Sequence, residues 1–122
     1  MKEIYIDIDV KYESFRELRL YGLIKQNIPI IKNQFGNFEI WIRRSSSGNV
    51  HLRLNFDRDL SVLEHFQVRS LMHDDIYRIG IDLRRLAIQG ENEINRIFEM
   101  KVKNGVVYKV GPWIDISEMM TQ

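Results

Sequence analysis

Three segments of this chain alternate apolar and polar residues with a period of two, the signature of strands whose two faces meet different surroundings. In Glu3 to Asp9, Ile4, Ile6 and Ile8 alternate with Tyr5, Asp7 and Asp9. Phe38 to Arg43 sets Phe38, Ile40 and Ile42 against Glu39, Trp41 and Arg43. Val50 to Phe56 sets Val50, Leu52, Leu54 and Phe56 against His51, Arg53 and Asn55. The last two segments flank the Ser/Gly/Asn-rich connection RRSSSGN and predict an antiparallel hairpin. If the aliphatic faces of all three strands line one core, Tyr5, Asp7, Asp9, Trp41, Arg43, His51 and Arg53 share the opposite face.

Between these strands the spacing changes. From Lys11 to Gln26, Phe15, Leu18, Tyr21 and Ile24 recur every three residues among charged neighbours, which predicts an amphipathic helix ended by Asn27-Ile28-Pro29. Asp59 is placed to cap a second helix running to about Met72 and carrying Leu60, Leu63, Phe66 and Leu71. Residues 74–87 fit helical spacing through Ile76, Ile79, Leu83 and Leu86 behind an Asp74 cap, and strand alternation through Tyr77, Ile79, Ile81 and Leu83; the helix is favoured. Asn95 to Val102 and Val106 to Val110 flank Lys103-Asn104-Gly105, a strong hairpin signal. The order β-α-β-β-α-β-β predicts an α+β fold, an antiparallel sheet with helices packed on one face, in a ferredoxin-like or RNA-recognition-motif-like layout. With no repeat and no linker composition, residues 1–122 read as one domain.

Composition narrows the chemistry. The chain has no cysteine, which removes disulfides, thiolate metal sites and a cysteine nucleophile. A formal net charge of +1 supplies no general basic field, so affinity for nucleic acid has to come from a local patch. Acidic residues interrupt the start, MKEIYIDIDV, where a signal peptide needs an unbroken apolar run, and no segment has the length of a membrane span. A cytoplasmic protein without a membrane partner is expected, and the isoleucine-rich, cysteine-free composition suits a thermophilic source.

Asp7 and Asp9 lie on one strand face about 6.5 to 7 Å apart at their Cα atoms, close enough to share Mg²⁺ or Mn²⁺ and equally compatible with two solvated acids. His51 follows a loop whose backbone N–H groups and the hydroxyls of Ser46 and Ser47 could receive phosphate oxygens, or which forms a plain polar turn. Asp82 reads either as a third carboxylate or as a helix acid paired with Arg78 or Arg85. His65 and His73 lack neighbours at metal spacing. No Walker loop, dinucleotide-binding glycine motif or serine-hydrolase elbow occurs in the sequence.

Taken in order, IDID, SSSGNVH and RIGIDLRR resemble the archaeo-eukaryotic primase superfamily, which includes primase-polymerases of archaeal plasmids. Its members carry an Asp-x-Asp strand, a Ser-Gly-x-Gly-x-His-like loop entering a strand, and a later hydrophobic-Asp motif. The resemblance matches Asp7 and Asp9 to the first motif, Ser47, Gly48 and His51 to the second, and Asp82 to the third. It implies that Asp7, Asp9 and Asp82 bind divalent metal, that His51 contacts the phosphates of an incoming nucleotide, and that the reaction is nucleotidyl transfer. On the expected sheet face, Arg43, Arg53 and Arg85 are candidates for phosphate contact, and Tyr5 and Trp41 for base stacking. The loop departs from the family pattern in having Asn49 at the second glycine and one residue fewer. The competing class is a non-catalytic protein of the same layout, which binds single-stranded nucleic acid or, as a mobile-element or viral protein, forms a homodimer.

Overall fold

The computed structural model describes residues 1–91, 94–95 and 100–121. The three alternating segments form the strands β1 (Glu3–Lys11), β2 (Phe38–Arg44) and β3 (Asn49–Phe56). With the two-residue strand β6 (Ile114–Asp115) they make a four-stranded antiparallel sheet in the order β1-β3-β2-β6. The register sets Asp7 beside His51 and His51 beside Arg43, and in the next polar row Tyr5 beside Arg53 and Arg53 beside Trp41. The intervening rows of Ile4, Ile6, Ile40, Leu52 and Leu54 are buried in the core. Strand parity therefore separates an apolar face from a polar one, as the alternation requires.

Helices α1 (Arg19–Phe35) and α2 (Val62–Leu71) contribute to that core. The helix expected over Lys11 to Gln26 is displaced. Tyr12–Glu17 forms a 3-10 helix, Leu18 is extended, and α1 continues through Pro29 to Phe35. Ile24, Ile28, Ile31 and Phe35 recur at helical spacing and are buried, so core packing outweighs the proline. Pro29 itself lies on the exposed side.

Ser61, not Asp59, caps α2. Its side chain accepts from the Glu64 backbone N–H while the Glu64 carboxylate accepts from the Ser61 N–H, a complete capping box. Asp59 instead pairs with the N-terminal ammonium of Met1. The expected apolar stripe of this helix is also out of phase, for Leu63 is 69% exposed while His65, Val68 and Arg69 are buried.

Residues 76–89 are helical, forming α3 (Ile76–Gln89), capped by Asp75 through its side chain and Tyr77 N–H at 2.9 Å. Asp74, the expected cap, turns inward. The second hairpin comprises β4 (Met100–Lys103) and β5 (Val106–Lys109), with Asn104 and Gly105 both at positive φ as a tight two-residue turn demands. Residues 96–99 of the longer strand expected there lie outside the described residues. A short helix, α4 (Ser117–Met120), follows β6 and places Met120 in the core.

The outer edge of β1 has no strand beside it among the described residues, and its backbone groups are met by side chains. Asp7 N–H donates to Asp74 Oδ1 at 2.7 Å, and Tyr5 N–H donates to Asn95 Oδ1 at 2.7 Å. Tyr5 C=O accepts from Asn95 Nδ2 and Arg78 Nη1, and Asp7 C=O from the Asp75 N–H. These bonds satisfy the edge and fix the start of α3 next to Asp7. Among the described residues no helix is long and apolar enough to cross a membrane.

Candidate functional site

A cleft of about 700 Å³ lies where the β2–β3 connection, the second half of β1 and α3 meet. The sheet contributes Asp7, Asp9, Asn49 and His51, the connection Ser45, Ser46 and Ser47, and α3 the row Tyr77, Ile81, Arg85 and Gln89. Four-residue spacing puts that row on one side of the helix.

The connection is held by its own backbone. Ser45 N–H donates to Asn49 C=O at 2.8 Å, Gly48 N–H to Ser45 C=O at 2.9 Å, and Asn49 N–H to the Ser45 hydroxyl at 2.9 Å. Gly48 sits at φ +85°, where a side chain would be strained and its Cβ would stand 3.1 Å from Arg44 Nη2. Asn49 is the first residue of β3, and its side-chain amide donates to Asp9 Oδ1 at 2.9 Å. The loop is thereby tied to the strand that carries the acids.

His51 is 5% exposed, yet it lies on the polar face of the sheet. Arg43 Nε donates to its Nδ1 at 3.1 Å, and because a guanidinium only donates, Nδ1 is the acceptor and the ring proton resides on Nε2. Burial, followed by the charges of Arg43 and Arg78, lowers the His51 pKa to about 4, so the ring is neutral near pH 7. Its Nε2 stands 3.8 Å from Asp7 Oδ1, beyond hydrogen-bond length. His51 thus presents a neutral N–H donor at the cleft floor beside a carboxylate. Asp7 is pushed above the ordinary carboxylate range by its own burial; Arg78 opposes the shift, while Asp74, Asp75 and Asp9 reinforce it.

Asp82 lines the same cleft, but its carboxylate is engaged. Oδ2 accepts from Arg69 Nη1 at 2.8 Å and from the Asn95 N–H at 2.9 Å, with Arg85 Nη1 3.8 Å from Oδ1. Arg69 is fully buried and also bonds Asp74 Oδ2 at 2.6 Å. As a third metal ligand, Asp82 would have to share its carboxylate with Arg69 and the Asn95 N–H. Among the described residues no group of three or more His, Cys, Asp or Glu side chains is arranged to hold a metal ion. Asp7 and Asp9 face the cleft from the sheet and suit a hard cation, with Asp75 in the same lining, and Mg²⁺ characteristically takes one or two protein carboxylates and completes its shell with substrate phosphate and water.

Of the remaining candidate residues, Ser46, Ser47 and Arg85 line the cleft, with Gly48 in the same turn, whereas Tyr5, Trp41, Arg43 and Arg53 lie outside its lining. Tyr5 and Trp41, both half-buried, have side-chain neighbours from the protein itself. The Arg53 guanidinium lies over Trp41 and over Trp113, at 5.4 and 4.7 Å from the ring centroids, and Arg43 lies 4.4 Å from the centroid of Trp113. Tyr5 packs on Trp113 at 6.1 Å. Trp113 precedes β6, and the pairing of Asp115 with Trp41 brings it to this face. Its role was not visible in the sequence, because a two-residue strand leaves no periodicity to read. Asp75, Tyr77 and Arg78 were likewise missed; the Asp-Asp pair before a helix was the available signal, with one acid serving as cap and the other as buried partner.

No protein-family model, curated protein or solved structure matches the chain.

Proposed function

We propose that the cleft binds the phosphates of a nucleotide together with Mg²⁺ or Mn²⁺, and that the chain is a minimal, divergent primase-polymerase-like core capable of nucleotidyl transfer to nucleic acid. The observation that carries this reading is the neutral Nε2–H of His51 beside Asp7, facing the cleft formed with the serine loop. A neutral imidazole with that tautomer donates to a phosphate oxygen without needing a proton from solvent. Arg85, 47% exposed at its side chain, supplies a second donor from the opposite wall. Asp7, Asp9 and Asp75 also face the cleft, so a phosphate entering it meets carboxylates. Asp7 and Asp9 would hold a divalent cation, which when bound would supply countercharge and Lewis acidity. The strand order β1-β3-β2 with helices over one face supports a ferredoxin-like layout, in which the side chains of Asp74 and Asn95 occupy the flank of β1.

The engagement of Asp82 by Arg69 favours a second reading, a module that binds nucleotide or single-stranded nucleic acid without turnover. Labelled-nucleotide incorporation onto a primed single strand in Mn²⁺, with Asp7→Ala/Asp9→Ala as control, separates the two. The enzyme incorporates label and the variant does not. Cation-dependent nucleotide binding without incorporation supports the module, and loss of both in the native protein refutes the cleft as a nucleotide site.

A further inference from the structure

Resting on the reading of the cleft as a nucleotide site, we infer that Tyr77 and Ile81 of α3 form the wall against which the nucleobase lies. A nucleotide has a charged end and a flat, weakly polar end, and the cleft is divided in the same way. Its sheet and loop walls are polar throughout, made of Asp7, Asp9, His51, the serines and Asn49. Among the described residues lining it, Tyr77 and Ile81 are the apolar ones, adjacent turns apart on one side of α3. Both are strongly exposed, 81% and 52%, so each has apolar surface to gain from a ligand.

The backbone that carries Tyr77 is fixed before any ligand arrives. Asp75 caps its N–H, and the Asp75 N–H is bonded to Asp7 C=O at 3.0 Å. The aromatic ring therefore projects from a helix start anchored to the strand that bears the acids. The sheet aromatics offer no competing platform in the cleft, since Tyr5 and Trp41 lie outside its lining and pack with Trp113 and Arg53. Stacking on an aromatic face accepts any base, so the ligand class is nucleotides without base preference.

The test compares the affinities of ATP and of inorganic tripolyphosphate, each with Mg²⁺, for the native protein, Tyr77→Ala and Tyr77→Phe, by titration calorimetry. The native protein binds ATP more tightly than tripolyphosphate. Tyr77→Ala weakens ATP by about tenfold or more while tripolyphosphate stays within about twofold, and Tyr77→Phe matches the native protein. UTP behaves like ATP. Unchanged ATP affinity in Tyr77→Ala, or an equal loss for both ligands, overturns the inference. Native binding of tripolyphosphate as tight as that of ATP overturns it while leaving a phosphate site, and binding of neither overturns the cleft reading itself.

Discussion

His51 and Asp82 show how a side chain's partners decide its role more than its type does. His51 is neutral because burial and two guanidinium groups depress its pKa to about 4, and His65, buried beside Arg69, is depressed to about 3. Both rings take up protons near pH 6.5 when the chain unfolds, whereas the folded protein resists protonation down to those lower values. The unfolded state then binds more protons, so this contribution to stability is present above about pH 6.5 and declines as pH falls toward 4. Urea midpoints measured between pH 7.5 and 4.5 are expected to fall with pH, and less steeply in His51→Gln; a slope unchanged by the substitution contradicts the assignment. Asp7, whose pKa is raised, contributes with the opposite sign in the carboxylate range. Asp82 is one member of a buried cluster in which Arg69 also bonds Asp74. Asp82→Ala leaves Arg69 with Asp74 but one buried donor unsatisfied, and is expected to cost about 1 to 3 kcal/mol. Asp9→Ala, which removes an exposed carboxylate bonded to Asn49, is expected to change stability by no more than about 0.5 kcal/mol. Denaturation of the two variants without ligand checks the contrast.

At the level of elements, the helices depart most from what local spacing predicts. In α1 a proline sits inside a helix because four large apolar residues, Ile24, Ile28, Ile31 and Phe35, are buried along one side of it. Pro29 is exposed, so Pro29→Ala restores a backbone donor at no packing cost and is expected to stabilise the protein by about 1 to 3 kcal/mol, read as a raised Tm. An unchanged or lowered Tm would show that the proline packs favourably. The capping box of α2 predicts the reverse direction, since Ser61→Ala removes a bond to an otherwise unpartnered helix N–H and is expected to cost about 1 kcal/mol. The pairing of α2 with α3 depends on Arg69, whose guanidinium joins Asp74 and Asp82. That cluster aligns α3 beside β1, and through it the cleft wall carrying Tyr77, Ile81 and Arg85.

For the whole molecule, legibility follows the length of each pattern. The period-two alternation of the three long strands told which residues share a face, and the register agrees row by row, Asp7 with His51 and Tyr5 with Arg53. Asn104-Gly105 told its hairpin turn because the φ angles it needs are ones few residues adopt. The phase of α2 was hidden, because its buried side carries His65 and Arg69 and the hydrophobic spacing pointed to the exposed Leu63 instead. The Trp113 cover was hidden because it joins residues far apart in sequence, whereas the ion cluster links near neighbours, Arg69, Asp74, Arg78 and Asp82, across the turn between α2 and α3, where no single helical spacing runs through. The placement of Asp7 beside His51 needed strand parity alone, whereas Asp9 lies where the pairing of β1 with β3 shifts register between Ile8 and Lys11, and the opposite wall required the path of α3. Nucleotide binding in this cleft unites the roles given to the sheet, the serine loop and α3. Titrating ATP with Mg²⁺ into isotopically labelled protein and following backbone and imidazole NMR signals tests it most directly. Shifts are expected to concentrate at Asp7, Asp9, Ser45 to His51 and Tyr77 to Arg85, including the His51 Nε2–H, and to be lost when Mg²⁺ is withheld. Shifts confined to the β4–β5 hairpin or to the Trp41–Trp113 face, or none at all, would contradict it.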